Sequence, residues 1–280
     1  MSGTPDIPAA GMQAAGMQAA GMQAALPRQG PGLMGSEVRA LAKLTLSLRV
    51  TGRRPDGFHT LESEMVTVDL ADSLYFFPGY GIEVVDAGAA LGGHAEVPAD
   101  GTNLAVRALD LLGIRAQVRL VKRVPAGGGL GGGSADAAAV LRWAGLAGER
   151  RGAELAAKLG SDVPFCLAGG RAMVTGTGEV LEPLDFMEVE GRAYTLLTPP
   201  FGVNTAAVYK AWDSMGGPQG ANGNDLEPAA LAVEPRLGEW RDRLGAATGQ
   251  QPTLAGSGST WYVTGAHPGE GRTVVRVARP

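Results

Sequence analysis

The chain carries one cysteine, Cys166, among 280 residues. That excludes an internal disulfide and any cysteine-based zinc site. Its three histidines, His59, His94 and His267, are scattered and make no metal-ligand spacing, so no resident metal is expected. Aromatic residues are only 5% of the chain against 45% hydrophobic residues overall, so its cores must be built from small aliphatic side chains. Lysine is scarce too: Lys43, Lys122, Lys158 and Lys210 are four among 24 basic residues. A net charge of −4 provides no concentrated basic face, which argues against nucleic-acid or anionic-membrane partners. These features together indicate a cytoplasmic protein.

Residues 1–33 differ from the rest. Gly-Met-Gln-Ala-Ala occurs three times in tandem from Gly11, Gly16 and Gly21. A five-residue period matches neither a helix face nor a strand. The run is not basic-then-leucine-rich like a secretory signal, and it is too polar to cross a bilayer. It reads as a disordered or loosely helical tail to which no function is assigned, with Met34 as an alternative start.

The most informative segment is Pro125 to Val140. Glycine fills six of the seven positions from Gly127 to Gly133, and the composition then turns to an alanine-rich helix. A loop this bare exposes backbone N–H groups, and the helix adds its unpaired first-turn N–H groups and positive dipole end. Such a cradle suits a phosphate chain better than a linker role. It is not a Walker loop, because no Gly-Lys-Ser/Thr closes it. A dinucleotide fingerprint also fails, since Glu149 and Glu154 lie in a helical stretch rather than at the end of a second strand.

Around this loop the pattern reads as a mixture of strands and helices. A half-buried strand is expected over Glu37–Val50, with Leu44, Leu46, Leu48 and Val50 on one face. A turn over Gly52–Gly57 leads to a second strand over Leu61–Leu70. Helical spacing over Gly101–Leu112 has Thr102 as candidate cap. A strand over Gln117–Lys122 feeds the loop, followed by helices over Ser134–Leu146 and Glu149–Leu159. Later strands are expected at Arg171–Val174 and Ala193–Thr198, and helices from about Thr205 and Pro235. This order fits α+β and not a regular βαβ repeat. A composition break near Leu167–Gly170 suggests domains over 34–168 and 169–280.

Local chemistry leaves several roles open. Lys43 stands alone in an uncharged strand, where it is either a surface lysine on an edge or a point charge able to neutralise an alkoxide. Asp162, after the helix stop at Gly160 and before Val163-Pro164, reads as a helix cap or as an acid held at a bend. Phe58-His59, at the tip of an Asp56-Gly57 turn, is either structural or offers a stacking face beside a polar edge.

The loop resembles the phosphate loop of the GHMP kinases at Pro125, Gly129, Leu130, Gly131 and Ser134. Other blocks sharpen the likeness. Ala42-Lys43-Leu44, Gly52 to His59, Thr102-Asn103-Leu104, Gly160 to Phe165, Gly176 to Glu179, Asn224 to Pro228 and Gly256 to Ser259 resemble, in order and spacing, the 4-diphosphocytidyl-2-C-methyl-D-erythritol kinases within that superfamily. The resemblance implies a two-domain α+β GHMP fold and ATP-dependent phosphorylation of the 2-hydroxyl of the cytidyl-diphosphate methylerythritol. Magnesium would arrive with ATP, and the protein would act as a monomer or homodimer. It implies Asp162 as catalytic base with Lys43 as its electrostatic partner. Pro125, Ala126, Gly127, Gly128, Gly129, Leu130, Gly131, Gly132, Gly133 and Ser134 would hold ATP. Phe58, His59, Thr205 and Tyr209 would form the substrate side, with Phe58 and Tyr209 stacking the cytosine and His59 pairing with its edge. The Asn224 and Gly256 blocks would line the cleft. The alternatives are another GHMP kinase, of homoserine or mevalonate type, and a nucleotide-binding relative without catalysis.

Three features depart from the family pattern. Thr45 stands where asparagine is common, which weakens it as a substrate contact. Asp136 places a carboxylate beside the phosphates, so it is expected to point away from the nucleotide. The segment between Val263 and Val274 is too short for the family's last helix. Because the repeat buries nothing in this reading, a chain beginning at Met34 is expected to keep its melting temperature and activity. Calorimetry and a kinase assay on the shortened chain check this.

Overall fold

The computed structural model describes residues 35–86 and 96–280. The tail, and its expected disorder, lie outside the described residues, as does His94.

The first sheet has seven strands: β1 (Glu37–Thr45), β2 (Arg49–Arg53), β3 (His59–Phe77), β4 (Gly81–Asp86), β5 (Gln117–Lys122), β6 (Arg171–Gly176) and β7 (Val180–Pro183). Its axis is β3, a 19-residue strand. One edge of β3 pairs with β1 and then β2; the other pairs with β5 and then β6. The single strand expected over Glu37–Val50 is therefore two. At Leu46–Ser47 the chain leaves the ladder, and Ser47 is held by Ser63 and the amide of Glu64. The half-buried reading of this strand is also corrected. Ala40 through Thr45 are all buried, because helix α2 (Gly132–Trp143) packs against β1 while Ala42 and Leu44 join a core with the second sheet.

Three more helices belong to this part: α1 (Leu104–Leu112), α3 (Arg150–Leu159) and α4 (Val163–Ala168). The cap of α1 is Asn103, not Thr102. The Asn103 carboxamide accepts from the Ala105 amide at 2.9 Å, while Thr102 turns back to Asp100. A one-residue shift follows from the Asx geometry, in which the capping oxygen reaches two residues forward.

The second sheet runs β11-β8-β10-β9, formed by β8 (Ala193–Leu197), β9 (Thr253–Leu254), β10 (Trp261–Thr264) and β11 (Arg272–Arg276). Alternation divides it between two cores. Leu196 and Tyr262 pack with Val66 and Val68 of β3, whereas Leu197, Trp261 and Val263 pack under α5 (Thr205–Ser214), α6 (Glu227–Val233) and α7 (Leu237–Thr248). The short connection at Pro268–Gly271 is a turn into β11, with no helix there. Both β6 and β7, which follow Gly170, pair back into the first sheet.

A buried ion triad joins this framework to the glycine loop. Lys122 bridges the carboxylates of Asp72 on β3 and Asp136 in α2, the latter at 2.9 Å. The second oxygen of Asp72 accepts from the Val124 amide at 2.8 Å. Burial holds the Asp136 carboxyl above the usual carboxylate range, against the pull of Lys122. Breaking a buried ion group by removing one partner leaves an uncompensated charge and costs about 3–5 kcal/mol. Lys122→Met is therefore expected to lower the denaturation midpoint strongly. Denaturant unfolding of the variant beside the parent checks it.

Candidate active site

The glycine loop is held from both sides by backbone contacts. The amide of Lys43 on β1 donates to the Leu130 carbonyl at 3.0 Å, and the amide of Thr260 donates to the Gly128 carbonyl at 3.1 Å. Gly129, at φ +78°, has no room for a side chain: a Cβ there would lie 2.3 Å from the Ala255 carbonyl oxygen. Gly131, at φ +70°, starts α2, and a Cβ on it would strike the stem of Lys43 at 2.8 Å. The loop glycines are thus required by close approach as well as by exposed amides. Pro125 through Ser134, with Asn103 and Leu104, line a cavity of about 350 Å³. Asp136 also borders it, but one carboxylate oxygen is turned to Lys122 and the other has no protein partner.

Lys43 is not a surface lysine on an edge strand. Its side chain is only 6% exposed, and its ammonium lies 3.4 Å from the Asp162 carboxylate and 3.0 Å from the Thr45 hydroxyl. Thr45 is thereby committed to the lysine. Asp162 precedes α4 but makes no capping hydrogen bond. Its carboxylate is drawn instead to Lys43 and remains 31% exposed. In both cases the ion pair, made across the fold, overrides the local preference.

Asp162 opens into a second cavity of about 850 Å³ that also takes in Phe58, His59, Thr205, Tyr209 and Ser134. The sequence-derived substrate residues therefore share one cavity, and Ser134 lies on both. Phe58 is 62% exposed. His59 and Tyr209 stack on each other, with centroids 4.8 Å apart at 21°, so Tyr209 presents its face to the histidine. Thr205 is bonded to Ser257 at 2.8 Å, tying α5 to the Gly256 block. Burial, with the Asp162 charge adding, pushes the Tyr209 phenol up to about 12, and the Cys166 thiol to about 12 likewise. Neither group ionises at neutral pH, so neither serves as base or nucleophile.

Neither the Asn224 block nor the Gly256 block lines either cavity. Asn224 is buried, and its amide donates to the carbonyls of Leu254 and Gly256 at 2.8 and 2.6 Å; Asp225 grips Arg49 and the Val50 amide. These residues brace the segment beside the loop. Conversely, Arg53, Ser161, Lys210 and Asp213 line the larger cavity. Arg53 and Ser161 fall inside sequence blocks already singled out. Lys210 and Asp213 had no local signal beyond being charges on an amphipathic helix.

The fold and the loop define the class. Residues 103–170 match the description "GHMP kinases N terminal domain". The mevalonate kinase of Methanococcus jannaschii shares the fold at TM-score 0.55 with 10% identity, over 89% of this chain and all of that one. The 4-diphosphocytidyl-2-C-methyl-D-erythritol kinase of Pelotomaculum thermopropionicum is 38% identical over 80% of this chain and 86% of its own, and that of Nitrobacter hamburgensis is 34% identical over 86% and 90%. A crystal structure of a 4-(cytidine 5'-diphospho)-2C-methyl-D-erythritol kinase aligns at TM-score 0.63 with 34% identity, covering 81% of this chain and 89% of that one. The chain belongs to the 4-diphosphocytidyl-2-C-methyl-D-erythritol kinase family. Among the described residues no helix is long and apolar enough to cross a membrane.

The packing around Gly129 has a direct consequence. Gly129→Ala is expected to unseat the loop, lowering the melting temperature and raising the KM for ATP. Gly133→Ala, whose Cβ would meet only Leu104 Cδ1 at 3.6 Å, is expected to leave the melting temperature nearly unchanged. Thermal denaturation of both variants and ATP titration of the first check this.

Proposed function

We propose that the protein transfers the γ-phosphoryl group of ATP to the 2-hydroxyl of 4-diphosphocytidyl-2-C-methyl-D-erythritol, with Asp162 orienting and accepting the hydroxyl proton. The observation that carries this reading is the place of Ser134. It lies on both cavities, so the phosphate loop opens directly into the space that holds Asp162. A terminal phosphoryl cradled by the loop amides then meets an acceptor hydroxyl beside the carboxylate. The Lys43 ammonium, 3.4 Å from that carboxylate, offsets the negative charge that grows as the hydroxyl loses its proton. Little covalent chemistry is asked of the protein; positioning and charge supply most of the rate.

Pro125 through Ser134 hold the triphosphate by backbone N–H groups and the start of α2. Phe58 offers an exposed ring to the cytosine, His59 its polar edge, and Tyr209 the wall that fixes His59. Thr205 stands at the foot of the same wall. Magnesium accompanies ATP. Among the described residues no three acidic, histidine or cysteine side chains converge as a metal site. When bound, such an ion neutralises phosphate charge.

Asp162→Asn is expected to cut kcat by roughly 10²–10⁴-fold with ATP binding nearly unchanged. A coupled assay with and without the cytidyl substrate reads the first quantity, and nucleotide titration reads the second. Turnover within a few-fold of the parent overturns the role of Asp162. Phosphorylation of homoserine as readily as the cytidyl compound overturns the substrate assignment.

A further inference from the structure

Three residues on one face of α5 close around the His59 ring. Tyr209 stacks on it, Trp212 meets it edge-on at 5.7 Å and 89°, and the Asp213 carboxylate lies 2.7 Å from its Nε2. Their spacing of i, i+3 and i+4 puts them on adjacent turns of the same helix face. The His59 side chain is 9% exposed and that of Asp213 30%. The other oxygen of Asp213 is 3.5 Å from Arg53, which comes from β2 at the edge of the same cavity. Asp213 also sits in the last turn of α5, where the helix dipole disfavours a carboxylate. Its place there is sustained by the cation and by the imidazole N–H it faces.

We propose that Asp213 is the positioning residue that sets which base His59 can read. A carboxylate only accepts hydrogen bonds, so the neutral imidazole must turn its N–H toward Asp213 through Nε2. Nδ1 is then left as a lone-pair acceptor, and it makes no hydrogen bond to protein among the described residues. An acceptor at that point matches the exocyclic amino donor of cytosine and opposes the carbonyl that uracil carries in the same place. Tyr209 and Trp212 hold the ring by face and edge, and a half-turn would carry Nε2 away from Asp213, so the two nitrogens keep these roles. Selectivity for an amino-bearing pyrimidine therefore depends on a residue that need not touch the base. This rests on the reading of His59 as the base-edge contact.

The test compares kcat/KM for the cytidyl substrate and its uridyl counterpart in four proteins: the parent, Asp213→Ala, His59→Ala and the double variant. Asp213→Ala is expected to reduce the cytidine-to-uridine ratio by roughly tenfold, the scale of one lost matched hydrogen bond. The loss should fall in the KM for the cytidyl substrate and leave the KM for ATP alone. Because Asp213 acts through His59, the double variant should be no less selective than His59→Ala. Asp213→Asn, which keeps the size of the side chain and an accepting oxygen, should retain more selectivity than Asp213→Ala and guards against loss of folding. A ratio preserved in Asp213→Ala but lost in His59→Ala overturns the role of Asp213 and leaves base reading by His59 standing. A ratio preserved in both overturns the two together.

Discussion

A loop that binds phosphate through its backbone must be bare, and a bare loop cannot fix its own shape. Glycine pays more conformational entropy on ordering than any other residue. Here the order is imposed from outside. β1 donates to the Leu130 carbonyl, the Ala255–Thr260 segment donates to the Gly128 carbonyl and crowds Gly129, and the Asp72–Lys122–Asp136 triad ties the strand before the loop to the helix after it. Two of these braces carry a second duty. β1 also brings Lys43 to Asp162, and the Ala255–Thr260 segment also holds Thr205 of α5 through Ser257. The glycine loop, the Lys43–Asp162 pair and the Thr205 side of the larger cavity therefore share one scaffold.

Much of this was legible in the sequence where composition changes abruptly. The shift from glycine to alanine at Ser134-Ala135 marked the loop and, two residues late, the start of α2 at Gly132. A lone lysine in an apolar strand marked Lys43, and an acid after a helix stop marked Asp162. Their local readings were less sound, because burial and pairing depend on partners far away in the chain. A cap and a surface charge are what short-range rules favour, and the Lys43–Asp162 contact outweighs both. The block around Asn224 was equally visible but its duty was not: a buried amide that ties Leu254 to Gly256 looks, in a string of letters, like any polar contact to a ligand.

Other elements left no usable trace. β10 is only four residues, and its two faces serve different cores, so its alternation carries no polar phase to detect. The pair Gly169-Gly170 falls in the composition break read as a domain boundary. In the fold it is a tight corner. The Gly170 carbonyl accepts from the Thr67 amide, and Gly169, at φ +66°, is crowded by Pro280. That corner returns the chain to β3, which is how β6 and β7 come to extend the first sheet and to carry Thr177 and Gly178 to the edge of the larger cavity.

The two cavities are built on different physics, and this division shapes what each can discriminate. Backbone amides and a helix start recognise charge and are nearly indifferent to what the phosphates are attached to. The cavity beyond Ser134 is lined by side chains from β2, β3 and α5, and on the proposed function its rigid ring and oriented nitrogen distinguish a donor from an acceptor. Rigid orientation requires the imidazole to be held by its face and by one nitrogen, which α5 provides with Tyr209, Trp212 and Asp213. The triad below the loop and the wall around His59 share no side chain. On the proposed function, base selectivity varies through α5 without disturbing the loop, while the Lys43–Asp162 pair serves any acceptor hydroxyl that reaches it.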